Sequence, residues 1–241
     1  AYFGDPTLIR LPPEHYTHLL LERIRISLRQ QIELAMEESP ENSKRAQQIC
    51  KQLIGRLPAI QELLEKDLTA TFEGDPAAQT KEEIVFCYPG FFAIFVYRIA
   101  HELYLSKVPL IPRMMTEYAH GKTGIDINPG AVIGEYFFID HGTGIVIGET
   151  TIIGDHVRLY QGTTLGALSP ASGQANRGVK RHPTVGNNVI IYSGSTILGG
   201  DTIIGNNVII GGNVFITESV PDNTRVTMKS PELTFREVKD L

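Results

Sequence analysis

The chain has 241 residues, 42% of them hydrophobic, and a formal net charge of −5. That length supports one large domain or two modest ones, and the acidic balance argues against nucleic acid as the main partner, because phosphate binding asks for a basic face. Cys50 and Cys87 form no CxxC or metal-type spacing, which reads as reduced, cytoplasmic usage, and no basic stretch followed by an apolar core opens the chain, so no leader is expected.

Residues 1–122 read as a helical domain. From Pro13-Glu14 onward, Leu19, Leu20, Ile24, Leu28, Ile32 and Leu34 recur at helical spacing. Ser39-Pro40-Glu41 ends that run and starts another, since the residue before a proline avoids the helical region while proline suits a first turn. The second run carries Ala46, Ile49, Leu53, Leu57, Ile60 and Leu64, and Pro58 is expected to bend or split it. Phe72–Thr80 has loop chemistry around Gly74 and Asp75-Pro76. Shorter helices are expected over Lys81–Tyr88, over Phe91–Ser106, and from Pro112 to about His120. The apolar run Ile84–Ala100 is interrupted by Pro89-Gly90, holds Arg98 and is short for a membrane crossing. A buried helix of a soluble protein is expected there.

Near Gly124 the period changes to six. One column reads Ile127, Ile133, Ile139, Ile145, Thr151, Val157, Thr163; the other reads Pro129, Glu135, His141, Ile147, Ile153, Leu159, Leu165. The beat resumes at Val185, Ile191 and Ile197, slips by one, and continues at Ile204, Ile210 and Ile216. Such short repeats signal a stacked β-solenoid, in which each unit buries its apolar face only against the next. Gly134, Gly148, Gly154, Gly186, Gly205 and Gly211 mark corners and are expected to supply positive φ. The solenoid is assigned to 123–222, with an extended loop at about 167–183, and 223–241 reads as a capping tail. A loop thrown out from a rigid scaffold is a common place for binding residues. His141 stands where its column otherwise holds aliphatics.

Six strings carry a resemblance: GDP at 74–76, FVYRIAHEL at 95–103, GIDINPGAVIG at 124–134, DHGTGIVIGET at 140–150, TLG at 164–166 and KRHPTVGNNV at 180–189. With DHGTG and RHP in that order inside hexapeptide repeats, the chain resembles the serine acetyltransferase family from Asp75 to about Pro221. The resemblance implies an α+β two-part chain, an N-terminal α-helical domain followed by a left-handed parallel β-helix of hexapeptide repeats. It implies homotrimers with sites between adjacent β-helices, often paired into hexamers as dimers of trimers. It further implies transfer of acetyl from acetyl-CoA to the hydroxyl of L-serine for cysteine biosynthesis, with L-cysteine as feedback inhibitor. No metal, nucleic acid or membrane partner is expected.

A serine hydroxyl must lose its proton as it attacks a thioester, and a histidine suits that work. His141 is the candidate base. Asp126 matches the family's dyad aspartate, and with about eighteen residues per coil it falls near the same corner one coil earlier. The resemblance implies His182 as a second catalytic histidine that orients substrate or stabilises the oxyanion. Arg181 offers a fork to the serine carboxylate, and Asp75 and Asp140 match the carboxylates that receive the ammonium group. Glu149 joins the same polar patch. Gly166, Ala167, Ser193, Gly194 and Gly212 offer backbone for close approach of acetyl-CoA, and Arg177, Lys180 or Lys229 would meet its phosphates.

Some positions depart from the family pattern: Asn128 replaces a histidine, Ala167-Leu168 follows TLG, and Tyr192 and Asn213 replace small residues. The sulfhydrylase that uses O-acetylserine captures a C-terminal isoleucine in the family, and Val238-Lys239-Asp240-Leu241 ends this chain, so that complex stays open. HGKTG at 120–124 lacks the upstream glycine of a phosphate-binding loop. His141, His156 and His182 lack close zinc-ligand spacing. Two other readings remain: a hexapeptide acetyltransferase for another small hydroxyl or amine acceptor such as a sugar, and a non-catalytic scaffold, which would have no need of Asp126, His141, Arg181 and His182.

Overall fold

The computed structural model describes residues 13–168, 173 and 178–229. Five helices come first: α1 (Pro13–Ala35), α2 (Pro40–Gly74), α3 (Lys81–Cys87), α4 (Pro89–Leu105) and α5 (Ile111–Thr123). The Ser39 hydroxyl accepts from the Asn42 N–H and caps α2, and Pro40 fills its first turn. Pro58 neither splits nor ends α2. It lies on the exposed side, where the carbonyl it leaves without a partner can meet water, and Gly55 nearby adds no side chain to the crowding. The expected loop also begins later, because α2 runs through Phe72 to Gly74 and ends at Asp75. The apolar run breaks at Tyr88, where α3 and α4 meet at 75°. Among the described residues no single helix is long and apolar enough to cross a membrane. Both cysteines are free, Cys50 buried and Cys87 exposed.

Among the described residues fourteen short strands follow and pair in parallel, forming the three faces of a left-handed parallel β-helix. The first face holds β1 (Asp126–Ile127), β4 (Val146–Ile147), β7 (Thr164–Gly166), β10 (Thr196–Leu198) and β13 (Phe215–Ile216). The second holds β2 (Val132–Ile133), β5 (Ile152–Ile153), β8 (Thr184–Val185) and β11 (Ile203–Ile204). The third holds β3 (Phe138–Asp140), β6 (Arg158–Tyr160), β9 (Ile190–Ile191), β12 (Ile209–Ile210) and β14 (Arg225–Val226). With β14 on the third face, the rungs continue past residue 222, the boundary expected from the sequence. The remaining tail, 230–241, and residues 169–172 and 174–177 of the loop lie outside the described residues, as does Arg177.

The inner ladders differ from the columns counted along the sequence. Ile127, Ile147, Leu165, Ile197 and Ile216 stack on the first face, and Ile139, Leu159, Ile191 and Ile210 on the third. The coil from Asp126 to Val146 is two residues longer than the next, Val146 to Thr164. The extra residues lie in the turn between β3 and β4. His141 is therefore no substituted aliphatic; it belongs to that turn, in the left-handed region at φ 56.

The corner between the second and third faces is built from side-chain amides and carboxylates. Asp155, Asn187, Asn206 and Asp222 each accept, through Oδ1, a backbone N–H from the preceding coil at 2.7–2.9 Å. Positive φ falls on Tyr136, His156, Asn188, Asn207 and Asn223, and not on the adjacent Gly134, Gly154, Gly186 and Gly205. Those glycines are required by crowding instead: a Cβ on Gly154 would overlap Asn187 Oδ1 and the Gly186 backbone.

The helical domain is fastened to the first coil by α4. Tyr97 Oη donates to the Ala131 carbonyl at 2.6 Å. The buried Arg98 forks onto Asp67 of α2, with both bonds at 3.0 Å, and also donates to the Ile133 and Gly134 carbonyls. Ala93, Ile94 and Tyr97 join the core of the solenoid, while Ile32, Ala46, Ile49, Leu53 and Leu103 form a second core among the helices.

Candidate active site

The expected site residues gather at two corners. At the corner between the third and first faces, Asp140 ends β3 and His141 opens the turn that follows. His141 Nε2 lies 3.8 Å from Asp140 Oδ1, and the imidazole is 77% exposed. Asp75, on the loop after α2, reaches the same corner and accepts a 2.6 Å hydrogen bond from Tyr88 Oη, with the Ala77 N–H as a second donor. Those two bonds hold the Asp75 carboxyl below the usual carboxylate range, against the effect of burial, with Arg158 adding nearby positive charge. Tyr88 is pushed up to about 12, chiefly by the same bond.

Asp126 lies beneath this turn on β1, but its hydrogen bond goes to Arg113 of α5 at 3.1 Å. Among the described residues, none joins it to His141. His141, with left-handed backbone in the long turn, is exposed beside Asp140 instead.

At the corner between the first and second faces, the Gly148-Glu149-Thr150 turn after β4 meets Arg181 and His182, which precede β8. Arg181 is ion-paired with Glu149, whose carboxylate also accepts from Tyr104 Oη of α4 at 3.3 Å. The Arg181 bond lowers the Glu149 carboxyl most, against the effect of burial. The imidazole of His182 lies over Gly148, where a Cβ would overlap the ring. His182 Nδ1 sits 3.1 Å from the Thr150 backbone nitrogen and 2.9 Å from Thr150 Oγ1. That hydroxyl oxygen also accepts the backbone N–H groups of Arg181 and His182, at 2.9 and 3.1 Å. Burial, then Arg181 and Lys180, push His182 down to about 4. Lys180 Nζ donates to the His182 carbonyl, and Lys229 is exposed.

The residues expected along acetyl-CoA divide the same way. Ser193, Gly194 and Gly212 continue the His141 corner, where Gly144, Gly162 and Gly194 stack as a rail with positive φ. Tyr160 and Tyr192 stack beside it, ring centroids 4.9 Å apart. Gly166 and Ala167 belong to the His182 corner, after β7. The two corners are opposite edges of the first face, about 20 Å apart by the rise of a six-residue side. One chain therefore carries two polar clusters that do not face each other.

Tyr88, Tyr104, Arg113 and Thr150 were absent from the expected set. Thr150 closes the GET string and Tyr88 follows Cys87, but their roles rest on partners distant in sequence, which no local pattern marks. Glu117, His120 and Asp126 bring ligand atoms within 4.8 Å of one another, yet Arg113 is paired with both carboxylates. A guanidinium already supplies the positive charge there.

No family model matches the chain. A plasmid-encoded serine acetyltransferase of Synechococcus elongatus is 45% identical over 215 residues, covering 82% of this chain and 66% of the relative. The match spans about half the length of other cyanobacterial serine acetyltransferases. Among solved structures, Entamoeba histolytica serine acetyltransferase 1 in complex with L-cysteine aligns with a TM-score of 0.83 and 40% identity, covering 94% of this chain and 81% of that one. The Neisseria gonorrhoeae serine acetyltransferase in complex with serine aligns with a TM-score of 0.68 and 30% identity, covering 84% and 80%.

Proposed function

The chain belongs to the serine acetyltransferase family, and from that premise we propose that it transfers acetyl from acetyl-CoA to the L-serine hydroxyl at a site shared by two chains. The observation that carries this reading is the division of the polar residues into half-sites on opposite edges of one face. Asp75, Asp140 and His141 form one half; Glu149, Arg181 and His182 form the other. A cyclic homotrimer, alone or as a dimer of trimers, sets the first edge of one chain against the second edge of its neighbour. Half-exposed Val132, Ile152 and Ile203 on the second face, and Phe215 on the first, favour such association.

In the assembled site, Asp75 and Asp140 receive the serine ammonium group and Arg181, oriented by Glu149, receives the carboxylate. His141 takes the hydroxyl proton as the oxygen attacks the thioester carbon. His141 turns from Asp140 toward Asp126 for orientation as it becomes charged. His182 faces the oxyanion of the tetrahedral intermediate. Collapse breaks the C–S bond, and the CoA thiolate leaves with the proton held on His141. L-Cysteine, which shares the ammonium and carboxylate of serine, competes for the same half-sites. Acetyl-CoA as donor and two free cysteines support a cytoplasmic setting.

The test is CoA release from acetyl-CoA with L-serine, L-homoserine and a sugar offered side by side. L-Serine should be strongly preferred, and His141→Ala should lower turnover by about 10²–10⁴-fold without dispersing the oligomer. Preference for the sugar, or near-normal turnover of His141→Ala, would sink the proposal.

A further inference from the structure

We propose that Thr150 is a positioning residue that fixes His182 as the Nε2–H tautomer, so that this histidine works as a hydrogen-bond donor and not as a second base. The argument rests on counting donors and acceptors. The Thr150 backbone N–H can only donate, and it points at His182 Nδ1 from 3.1 Å, so Nδ1 presents its lone pair. The Thr150 hydroxyl has two lone pairs and one proton. The Arg181 and His182 backbone N–H groups occupy both lone pairs. The proton is left to point at Nδ1, 2.9 Å away. Two donors thus share the single Nδ1 lone pair in a three-centre bond, and the ring proton resides on Nε2.

Protonating Nδ1 would set its hydrogen against the Thr150 N–H and against a hydroxyl with no acceptor capacity left. The low basicity of the ring agrees with this. Among the described residues Nε2 has no hydrogen-bond partner, and the ring packs against Gly148 with no room for a side chain there. Nε2–H is therefore a donor held in place before substrate arrives, the arrangement that lowers the cost of stabilising an oxyanion. Gly148, Glu149 and Thr150 then act together: Gly148 seats the ring, Glu149 holds Arg181, and Thr150 sets the proton.

The inference deepens the acetyl-transfer reading and rests on it for its kinetic consequence, but the tautomer can be read without turnover. Imidazole nitrogens of ¹⁵N-labelled intact protein would be observed by NMR, with His182 assigned by the signal lost in His182→Gln. Wild type should show a pyridine-like Nδ1 and a pyrrole-like Nε2; Thr150→Val keeps the N–H but releases the Arg181 and His182 backbone from the hydroxyl, so the ring should leave that N–H and show a mixture of tautomers. The kcat of Thr150→Val should fall by about ten- to a hundredfold, with KM for L-serine and acetyl-CoA within about twofold, as expected when a transition-state donor is lost. Thr150→Ser, which keeps both the hydroxyl and the N–H, should restore the spectrum and most of kcat. A pyrrole-like Nδ1 in wild type would overturn the inference, as would Thr150→Val keeping both the wild-type spectrum and kcat, or Thr150→Ser failing to restore them. If wild type acetylates no serine while the spectrum is as expected, the functional proposal fails and the tautomer assignment stands.

Discussion

Tyr88 holds Asp75 by one short hydrogen bond, and its loss should be felt in binding more than in chemistry. Tyr88→Phe leaves Asp75 ionised at neutral pH but free to turn from the serine ammonium. KM for L-serine should rise about three- to tenfold with kcat nearly unchanged; equal loss in both would place Tyr88 in the chemical step. His182 makes a different statement, about stability. Its ordinary value of 6.5 is pushed down to about 4 in the fold, by burial first. The unfolded chain therefore takes a proton near 6.5 while the native chain refuses it until about 4. Stability that is complete above 6.5 is lost as pH falls toward 4. Urea midpoints measured from pH 7 to 4.5 should fall more steeply for wild type than for His182→Gln, and parallel slopes would refute this account. His182, Arg181, Asp140 and Asp75 were legible in the sequence because their short strings resemble a family pattern. Thr150 and Tyr88 were not, because a hydroxyl gains its role from what touches it, and their partners arrive from 31 or 32 residues and 13 residues away.

At the scale of elements, the joint between helices and solenoid depends on the Arg98–Asp67 pair. Burial pushes the Asp67 carboxyl up to about 6, while Arg98 and the Phe137 N–H pull it down, so it is ionised at neutral pH. Asp67→Asn would leave the Arg98 guanidinium buried without a counter-charge, a loss of about 3–5 kcal/mol. That loss should appear as a lower urea midpoint, and an unchanged midpoint would show that water reaches Arg98. The helices were readable because cap and period agree, as at Ser39 and Pro40. Pro58 does not split its helix, and the sequence does not say which side of a helix faces water. The six-residue beat revealed the solenoid but mis-phased its columns, since two added residues in one turn shift the following residues by two positions, a slip that periodicity alone cannot place. The corner glycines were expected for the wrong reason: left-handed backbone falls on Asn and His there, and the glycines yield room to the neighbouring coil.

At the scale of the molecule, the proposed site needs a surface that the single chain leaves incomplete. If His141 of one chain works with His182 of its neighbour, two inactive variants can repair each other. His141→Ala and His182→Ala chains, co-expressed with different tags and purified through both, form mixed oligomers. An interface is competent when the His182→Ala chain supplies His141 and the His141→Ala chain supplies His182. Every mixed cyclic trimer has one competent interface among its three, so about a third of wild-type activity should return in the doubly purified fraction, while each variant alone stays inactive. A site built within one chain predicts no recovery at any mixing ratio, because every chain would carry one lesion. Doubly tagged oligomers that remain inactive would therefore place both histidines in one chain's site and require the edges of the first face to come together by a change within the chain.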